Sequence, residues 1–423
     1  MRIKRIALAS LLLLAAVLSV SAQTALDEIR ECPEKSGGVY YAYPVPTQRL
    51  TPAPKGYKPF YISHYGRHGS RYLLSDNDYK RALDALRTAN DNGALTEKGR
   101  DVLSKMEIIW QEAQYHGDQL APLGRRQHRG IAERMYRNYP EVFKQKGRKI
   151  TARSTTSMRV TISMIAFVER LHELNAKLNI DWDNSSENMQ YLNYHTQEYN
   201  RVKNDFNGWR RVQSQFGARG IPSERFTAQL ISDPSKAGIN VGGLMGQIYN
   251  VAVDLQNMET DINLLDLFTP EELYEQWRNE NAWFYPCDGP SPLNQGTAIE
   301  SCKPLLKHFV DKAEDAIAGR GDMATLRFGH DGNVIPLAAI MHLKNCDAVE
   351  EDLHKIDQVW RDYFVSPMGA NIQLIFYRKK GNDDILVKFM HNERETSIPV
   401  STDMAPYYHW KDVKAFFEKQ LEN

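Results

Sequence analysis

Three stretches of the chain have the mixed aromatic and β-branched or alternating pattern of extended strands. They cover residues 57–66, 149–155 and 324–330. Each ends in a short polar turn and is followed by apolar residues at helical spacing. This repeated order of strand, turn and helix predicts an α/β fold with a mostly parallel central sheet flanked by helices.

The helical pattern is clearest after the first strand. Amphipathic helices are predicted at residues 77–89, 95–116 and 122–138, and a further helix follows each of the other two strands. Near the C-terminus, two strand-like runs flank Gly381 and Asn382, which predicts a hairpin. The carboxyl ends of strands in such sheets are where ligands collect, so the residues there are the first candidates for a site.

The middle of the chain has a different pattern. Residues 176–299 lack a strand signal and carry Asn-rich loops, many Trp and Tyr, and short amphipathic stretches. We interpret them as a mainly α-helical domain inserted into an α/β core formed by residues 23–175 and 300–423.

The N-terminus has the pattern of a secretory signal peptide. Arg2, Lys4 and Arg5 precede an apolar run from Ile6 to Val20, which is followed by small residues. That run is shorter than the about 20 residues that a membrane-spanning helix needs. We therefore expect residues 1–22 to be cleaved on export to the periplasm or the medium, and we expect no membrane span in the mature chain.

Charge and cysteine content narrow the possible partners. The 53 Lys and Arg balance the 53 Asp and Glu, which argues against a nucleic-acid-coating or polybasic membrane-binding protein. Any anion site is therefore local, and the expected partner is a small molecule. Four cysteines in an exported chain allow two disulfides, with Cys287–Cys302 as the first candidate pair.

The strand ends carry the residues of phosphate chemistry. Arg67, Arg71 and Arg153 offer permanent charge and forked donors that match phosphate oxygens. His68 lies between two of these cations, which favour its neutral form, and a neutral imidazole is a nucleophile. The following Gly69 lets a substrate approach the backbone closely.

The third strand end supplies the complementary groups. Asp331 is a candidate to protonate a departing alkoxide and then to activate water, and His330 adds a hydrogen bond to the phosphoryl oxygens. Asp331 is also at a position where it could cap a helix. The scheme needs no metal ion or other cofactor.

Four motifs together resemble the histidine acid phosphatases, the branch of the histidine phosphatase superfamily that includes phytases. They are RHGSR at 67–71, LAPLGRRQ at 120–127, ITARSTTSMR at 150–159 and GHDGN at 329–333. The resemblance implies an α/β core with an inserted α domain and hydrolysis of phosphate esters, with phytate or other inositol phosphates as the first substrate class. It also implies a phosphorylated His68, phosphate binding by Arg67, Arg71, Arg153 and His330, and proton donation by Asp331.

Two positions depart from the family pattern. Leu73 replaces the usual Pro two residues after the second Arg, and HDG at 330–332 differs from the HAE of the similar multiple inositol polyphosphate phosphatases. Two other functions remain open at this point. One is a phosphomutase of the same superfamily, and the other is a protein that binds phosphorylated ligands without turning them over.

Overall fold

The computed structural model describes residues 23–218 and 220–422. The signal peptide predicted for residues 1–22 lies outside the described residues. Within those residues, no helix is long and apolar enough to cross a bilayer.

A single mixed sheet of eight strands forms the centre of the described structure, in the order β3-β2-β4-β1-β5-β6-β7, with β8 paired to β6. Strands β1 to β4 run parallel to their neighbours among themselves, and β5 to β8 add antiparallel pairs. The strands are β1 (Tyr57–Arg67), β2 (Ile150–Ser154), β3 (Ile180–Asp183), β4 (Ala324–Gly329), β5 (Asn371–Lys379), β6 (Asn382–His391), β7 (Arg394–Thr396) and β8 (Tyr407–His409).

Helices cover both faces of the sheet, and further helices form an apolar cluster of their own. The α-helices are α1 (Ala25–Glu31), α2 (Asp76–Asp91), α3 (Glu97–Ala113), α4 (Pro122–Asn138), α5 (Met158–Leu174), α6 (Met189–Leu192), α7 (Gln197–Lys203), α8 (Trp209–Gly217), α9 (Glu224–Leu230), α10 (Val241–Asp254), α11 (Pro270–Asp288), α12 (Thr297–Ile317), α13 (Asp331–Ile340), α14 (Ile356–Val359), α15 (Asp362–Val365) and α16 (Trp410–Glu422). Short 3-10 segments are Pro33–Tyr40, Val142–Lys144, Ser186–Asn188, Leu255–Asn257, Leu265–Leu267 and Pro292–Asn294.

Side chains that alternate along the strands build a separate apolar layer on each face of the sheet. Ile62 of β1 joins a cluster with α4 and α5, whereas Tyr61 and Tyr65 join a cluster with α12, α13 and α16. This arrangement confirms the predicted α/β class and its helix-flanked sheet. The predicted C-terminal hairpin is confirmed as β5 and β6, with Gly381 in the turn at φ +74°.

The helices predicted after the first strand form where local signals favour them. Ser75 and Asp78 make a capping box at the start of α2, and the Thr96 side chain accepts a hydrogen bond from the Gly99 amide at the start of α3. Pro122 occupies the first turn of α4, where its missing N–H costs nothing.

The central insertion differs from its prediction in two respects. It contains strand β3, which pairs in parallel with β2 at the sheet edge and extends the α/β core beyond residue 175. Conversely, α2 and α3, which we assigned to the core, share one apolar cluster with α9 and α10 of the insertion. This cluster is therefore built from two separate parts of the chain.

The predicted disulfide is absent. All four cysteines lie in the described part of the chain, and all four are free thiols. Cys287 packs in a small cluster with Val202 and Trp209, whereas Cys302 packs in the large cluster between α12 and the sheet. The Cys287–Cys302 prediction was wrong because it relied on spacing along the chain, and the two side chains belong to different clusters.

Candidate active site

The carboxyl ends of β1, β2 and β4 meet at one edge of the sheet. Arg67, the last residue of β1, pairs with Gly329 of β4, and Ser154 of β2 pairs with Phe328. His68 follows directly, donating its amide to the Gly329 carbonyl at 3.0 Å. The three predicted strand ends therefore converge, as expected for ligand sites in sheets of this kind.

The His68 ring is held in one tautomer. Its Nδ1 lies 2.9 Å from the carbonyl oxygen of Gly69, which can only accept a hydrogen bond. Nδ1 therefore carries the hydrogen, and Nε2 keeps a free lone pair. His68 is only 1% exposed, so bulk water has little access to this lone pair.

The electrostatics keep His68 uncharged. Burial lowers the pKa of His68 well below its usual value, and the charges of Arg67, Arg71 and Arg159 lower it further. The imidazole is consequently neutral through the mildly acidic range, in the form that can act as a nucleophile.

Arg67 is fully buried and is fixed from three directions. Its Nη1 donates to the carbonyls of Val39 and Ser366, and its Nη2 donates to Asp331 Oδ2 at 2.8 Å. Its guanidinium therefore links the 3-10 segment before β1, the segment after α15 and the start of α13. Such a fixed cation is preorganised to stabilise charge on a bound anion.

Arg71 and Arg159 complete the positive cluster. Arg71 donates to the Tyr72 carbonyl at 2.7 Å and to the Tyr40 hydroxyl at 3.1 Å, and its guanidinium stacks on the Tyr40 ring at 4.7 Å. Arg159 pairs with Asp118 at 2.6 Å. Both guanidinium groups are close enough to His68 to lower its pKa.

His330 and Asp331 lie opposite His68. The His68 and His330 rings meet edge to face, with centroids 5.9 Å apart. Arg159 Nη2 lies 3.5 Å from His330 Nδ1 and can only donate, so His330 Nε2 carries a hydrogen that it shares with the Thr155 hydroxyl at 3.2 Å. Burial, opposed by Asp331 and reinforced by Arg159, lowers the pKa of His330 to about 4.

Asp331 is an anion in the unliganded site. Burial alone would raise its pKa, but the charges of Arg67, His330 and Arg71 outweigh burial and lower the pKa to about 2. Asp331 is the first residue of α13, and its Oδ1 accepts the Gly332 amide at 2.9 Å. The N-cap position is held by His330, whose side chain makes no capping hydrogen bond, so neither residue caps the helix through its side chain.

The LAPLGRRQ motif supports the loop that carries His68. A Cβ added to Gly69 would lie 2.5 Å from the Gly124 carbonyl oxygen, so the loop and the first turn of α4 touch backbone to backbone. Gln127 Oε1 accepts the Ser70 amide, and its Nε2 donates to the Ser70 hydroxyl, both at 2.8 Å. This motif therefore positions the loop without contacting the ring of His68.

The structure does not bring Arg153 into the cluster, which corrects its predicted role. Arg153 lies on the α12 face of β2, where it donates to the Ala152 and Asp181 carbonyls and to the Asp181 carboxylate. The third guanidinium near His68 comes instead from Arg159. Arg159 ends the ITARSTTSMR motif, yet the sequence predicted no role for it, and the available signal was its place in the first turn of the helix after β2.

Two further imidazoles pack beneath the site. His64 and His128 are fully buried against Phe328, with ring centroids 5.3 and 5.8 Å from its ring, and their ring nitrogens have no hydrogen-bond partner among the described residues. Burial lowers the pKa of both. Within residues 23–218 and 220–422, no three His, Cys, Asp or Glu side chains are grouped so as to hold a metal ion.

Comparison with solved structures shows what this fold resembles. Multiple inositol polyphosphate phosphatase of Bifidobacterium longum, in complex with inositol hexasulfate, superposes with a TM-score of 0.74 and 19% identity over 90% of this chain and 97% of that chain. The phytase from D. castellii gives a TM-score of 0.62 and 14% identity over 92% and 85% of the two chains. The phytase of Klebsiella sp. ASR1 gives a TM-score of 0.53 and 12% identity over 88% of this chain and 96% of that chain. At these identities the likeness establishes the fold.

Sequence comparison establishes the family. The model described as the histidine phosphatase superfamily, branch 2, matches residues 66–392, a span that begins just before Arg67 and extends past Asp331. A search of curated proteins gives no match. The chain belongs to branch 2 of the histidine phosphatase superfamily, and we classify it as a phosphoric monoester hydrolase.

Proposed function

We propose that the protein hydrolyses phosphate esters through a phosphohistidine formed on His68. The observation that carries this proposal is the free lone pair on His68 Nε2, buried beside Arg67, Arg71 and Arg159. A phosphoryl group placed among these guanidinium groups would have its oxygens neutralised while its phosphorus faces the lone pair. Positioning and charge stabilisation of this kind supply most of the catalysis in phosphoryl transfer.

In the first step, Nε2 of His68 forms a bond to phosphorus while the bond from phosphorus to the ester oxygen breaks. The departing oxygen takes a proton from Asp331 and leaves as an alcohol. His330 Nε2 carries the one hydrogen of its ring, and this hydrogen moves from the Thr155 hydroxyl to a phosphoryl oxygen when substrate binds. The phosphorylated ring keeps its Nδ1 hydrogen on the Gly69 carbonyl throughout.

In the second step, a water molecule gives a proton to the Asp331 carboxylate and its oxygen bonds to phosphorus. The bond from phosphorus to Nε2 breaks, which releases inorganic phosphate and restores neutral His68. Asp331 ends the cycle protonated, and it regains its starting charge when that proton passes to solvent or serves the next substrate.

The bound substrate itself makes Asp331 an acid. In the empty site Arg67 and its neighbours hold the pKa of this carboxyl at about 2, so the carboxyl is ionised in mildly acidic and neutral solution. A phosphate dianion among the guanidinium groups offsets the cations and adds negative charge near the carboxylate. Both effects raise the carboxyl pKa towards the range in which it can carry a transferable proton.

We propose inositol polyphosphates as the preferred substrates and an extracytoplasmic location. Three arginines clustered around His68 suit a highly anionic ester, and proteins of this fold include an inositol polyphosphate phosphatase in complex with inositol hexasulfate. The basic and apolar pattern of residues 1–22 supports export with cleavage of that segment. Phosphate release across a panel of phosphate esters tests the first point, and N-terminal sequencing of exported protein tests the second.

Turnover and trapping of the intermediate test the proposed reaction. We expect phosphate release from phytate and from p-nitrophenyl phosphate, and His68→Ala should lower kcat by at least about 1000-fold. The matched control is His172→Ala, because His172 is an exposed imidazole on the outer side of α5. Acid-labile, base-stable labelling by rapid quench should occur in wild type and be absent in His68→Ala.

Three results would count against the reaction. Phosphate that migrates within the substrate without release would indicate a mutase. Tight binding of both esters with no turnover would indicate a binding protein. Full labelling in His68→Ala would place the phosphoryl group on another residue.

A further inference from the structure

A second charged cavity lies on the α12 face of the sheet, away from the His68 loop. It has a volume of about 360 Å³ and is bounded by β2, β4, the end of α12 and Tyr191 of α6. The catalytic scheme uses none of its lining residues. Arg153, which the sequence suggested as a phosphate ligand, is one of them.

Four cations line this cavity and a fifth lies beneath its floor. Lys149, Arg153, Lys312 and Arg320 form the lining cations, and the buried Arg327 supports the floor. Within the described part of the chain, Arg327 donates to neutral groups and makes no salt bridge, and its Nε donates to His308 Nδ1 at 2.8 Å. The nitrogen left over on His308, Nε2, therefore carries a hydrogen that is available for donation.

Four carboxylates reduce this positive charge without cancelling it. Asp181 pairs with Lys149 and Arg153 at 2.8 and 3.1 Å. Asp315 lies farther from its cations, at 3.6 Å from Lys312 and 3.5 Å from Arg320. Asp322 accepts a hydrogen bond from the Thr151 hydroxyl. Asp183 is also close enough to Arg153 for the guanidinium to lower its pKa. Five cations against four carboxylates leave an excess of one positive charge.

The positive charge around the cavity acts on His308, which is one of its lining residues. Burial lowers the pKa of His308 to about 2, with Arg327, Lys312 and Arg153 contributing in the same direction. The Tyr191 ring stacks on His308 with centroids 4.0 Å apart and closes one wall. A neutral N–H donor thus faces a space whose surroundings are positive, which is the environment that an oxyanion requires.

We propose that this cavity is a second oxyanion site, distinct from the His68 cluster, and that it takes inorganic phosphate. Its volume accommodates a tetrahedral oxyanion with its hydration. Arg153 comes from β2, His308 and Lys312 come from α12, and Lys149 and Arg320 come from the loops next to these elements. The proposal concerns binding alone and does not require the hydrolytic reaction to be as described above.

The cavity is linked to the catalytic loop by short paths. Arg153 is two residues before Thr155, whose hydroxyl contacts His330. On the opposite wall, Tyr191 precedes Leu192, whose carbonyl accepts a hydrogen bond from Tyr65, and the same Tyr65 hydroxyl accepts the His330 amide. These contacts connect the walls of the cavity to His330, through Thr155 on one side and through Tyr65 on the other.

Calorimetric titration with inorganic phosphate at fixed ionic strength tests the site. The test variant is Lys312→Gln/Arg320→Gln, which removes two exposed cations of the cavity. The control is Arg81→Gln/Lys105→Gln, which removes the same charge from exposed helical ion pairs on α2 and α3. We expect the test variant to bind one phosphate fewer than wild type, or to bind it at least about tenfold more weakly, and the control to be unchanged.

Arg153→Gln provides a second variant that acts from inside the cavity and should lose the same site. The proposal is overturned if the test variant binds as many phosphates as wild type with unchanged affinity, if the control loses as much as the test variant, or if wild type binds no phosphate tighter than about 10 mM. If the wild-type protein showed no turnover, only the catalytic proposal would fail. The proposal of a second site would stand, because it is tested by phosphate binding to wild type and to the test variant.

Discussion

At the level of single residues, Arg159 is the guanidinium near His68 for which the sequence predicted no role. It contacts His330 and lowers the pKa of His68, whereas Arg153 points to the other face of the sheet. We expect Arg159→Gln to lower kcat/KM by about 10- to 100-fold, because a charge-assisted contact to phosphate is lost. Arg153→Gln is the matched control and should stay within about threefold of wild type in phosphate-free buffer.

The same variant should change the pH profile. Removing the Arg159 charge removes one cause of the lowered pKa of His68, so that pKa rises and the nucleophile is protonated at a higher pH. The acid limb of kcat/KM should therefore move to higher pH in Arg159→Gln and stay in place in Arg153→Gln. Equal losses in the two variants, or no movement of the acid limb, would contradict the placement of Arg159.

Asp331 has a separate expected signature. Asp331→Asn cannot donate a proton, so esters with poor leaving groups such as phytate should lose about 10²- to 10⁴-fold in kcat, and p-nitrophenyl phosphate should lose much less. Parallel kcat measurements on the two esters check this. If both fall by the same factor, Asp331 acts by charge or position and the proton comes from elsewhere.

Most of the site could be predicted from residue chemistry and order along the chain. Arg67, His68, Arg71, His330 and Asp331 follow strand ends, and strand ends meet in a parallel sheet. The choice between two nearby arginines could not be made in the same way. Side chains alternate between faces along a strand, so the role of Arg153 depended on which face of β2 looks towards the loop, and that is set by packing of the whole sheet.

At the level of elements, the contact between the His68 loop and α4 is a backbone contact that leaves no room for a side chain. A Cβ on Gly124 would collide with the Ser70 carbonyl and lie 2.7 Å from Leu120 Cδ1. We expect Gly124→Ala to destabilise the protein by about 1–3 kcal/mol and to lower kcat, because the loop must shift.

Gly130 provides the control on the same helix. A Cβ there meets only the far end of the Arg134 side chain, at 3.0 Å, so Gly130→Ala should stabilise the protein by about 0.5–1 kcal/mol and leave kcat unchanged. Urea denaturation and kcat for both variants check the pair. A Gly124→Ala protein as stable and active as Gly130→Ala would show that the loop tolerates displacement.

The helices and strands also show which elements could be predicted from the sequence and which could not. Helices α2, α3 and α4 and strands β1, β2 and β4 follow their predicted positions because each has an amphipathic or alternating pattern with local caps. Strand β3 was missed because it has only four residues, too few to show a period, and its pairing with β2 is a tertiary contact.

At the level of the whole molecule, buried imidazoles make stability depend on pH. Burial lowers the pKa of seven histidines, so they stay neutral in the folded protein, whereas in the unfolded chain they take up protons below about pH 6.5. Because the unfolded state then binds more protons, the free energy of unfolding falls as the pH falls. The seven are His64, His68, His128, His195, His308, His330 and His391.

Fewer groups act in the opposite sense. Burial raises the pKa of Asp254 to about 6, that of Asp362 to about 7 and that of Glu280 above its usual value. Hydrogen bonds to Asp384 and Asp403 raise the pKa of His409. Each proton that the unfolded chain binds in excess of the folded protein lowers the free energy of unfolding by about 1.4 kcal/mol per pH unit as the pH falls. We expect a net fall of several kcal/mol between pH 7 and pH 5, measurable by urea denaturation, and a flat or rising curve would contradict this balance.

The two carbonyls that hold Arg67 belong to Val39 and Ser366, near opposite ends of the described chain. A nascent protein that has not yet delivered its final sixth has no second anchor for this guanidinium, and a protein trimmed at its amino end loses the first. We therefore expect phosphatase activity to appear only after the C-terminal part of the chain has been synthesised. Fragments that end before Ser366 lack one of the two backbone acceptors of Arg67, and we expect them to lose phosphatase activity even where their remaining strands pair.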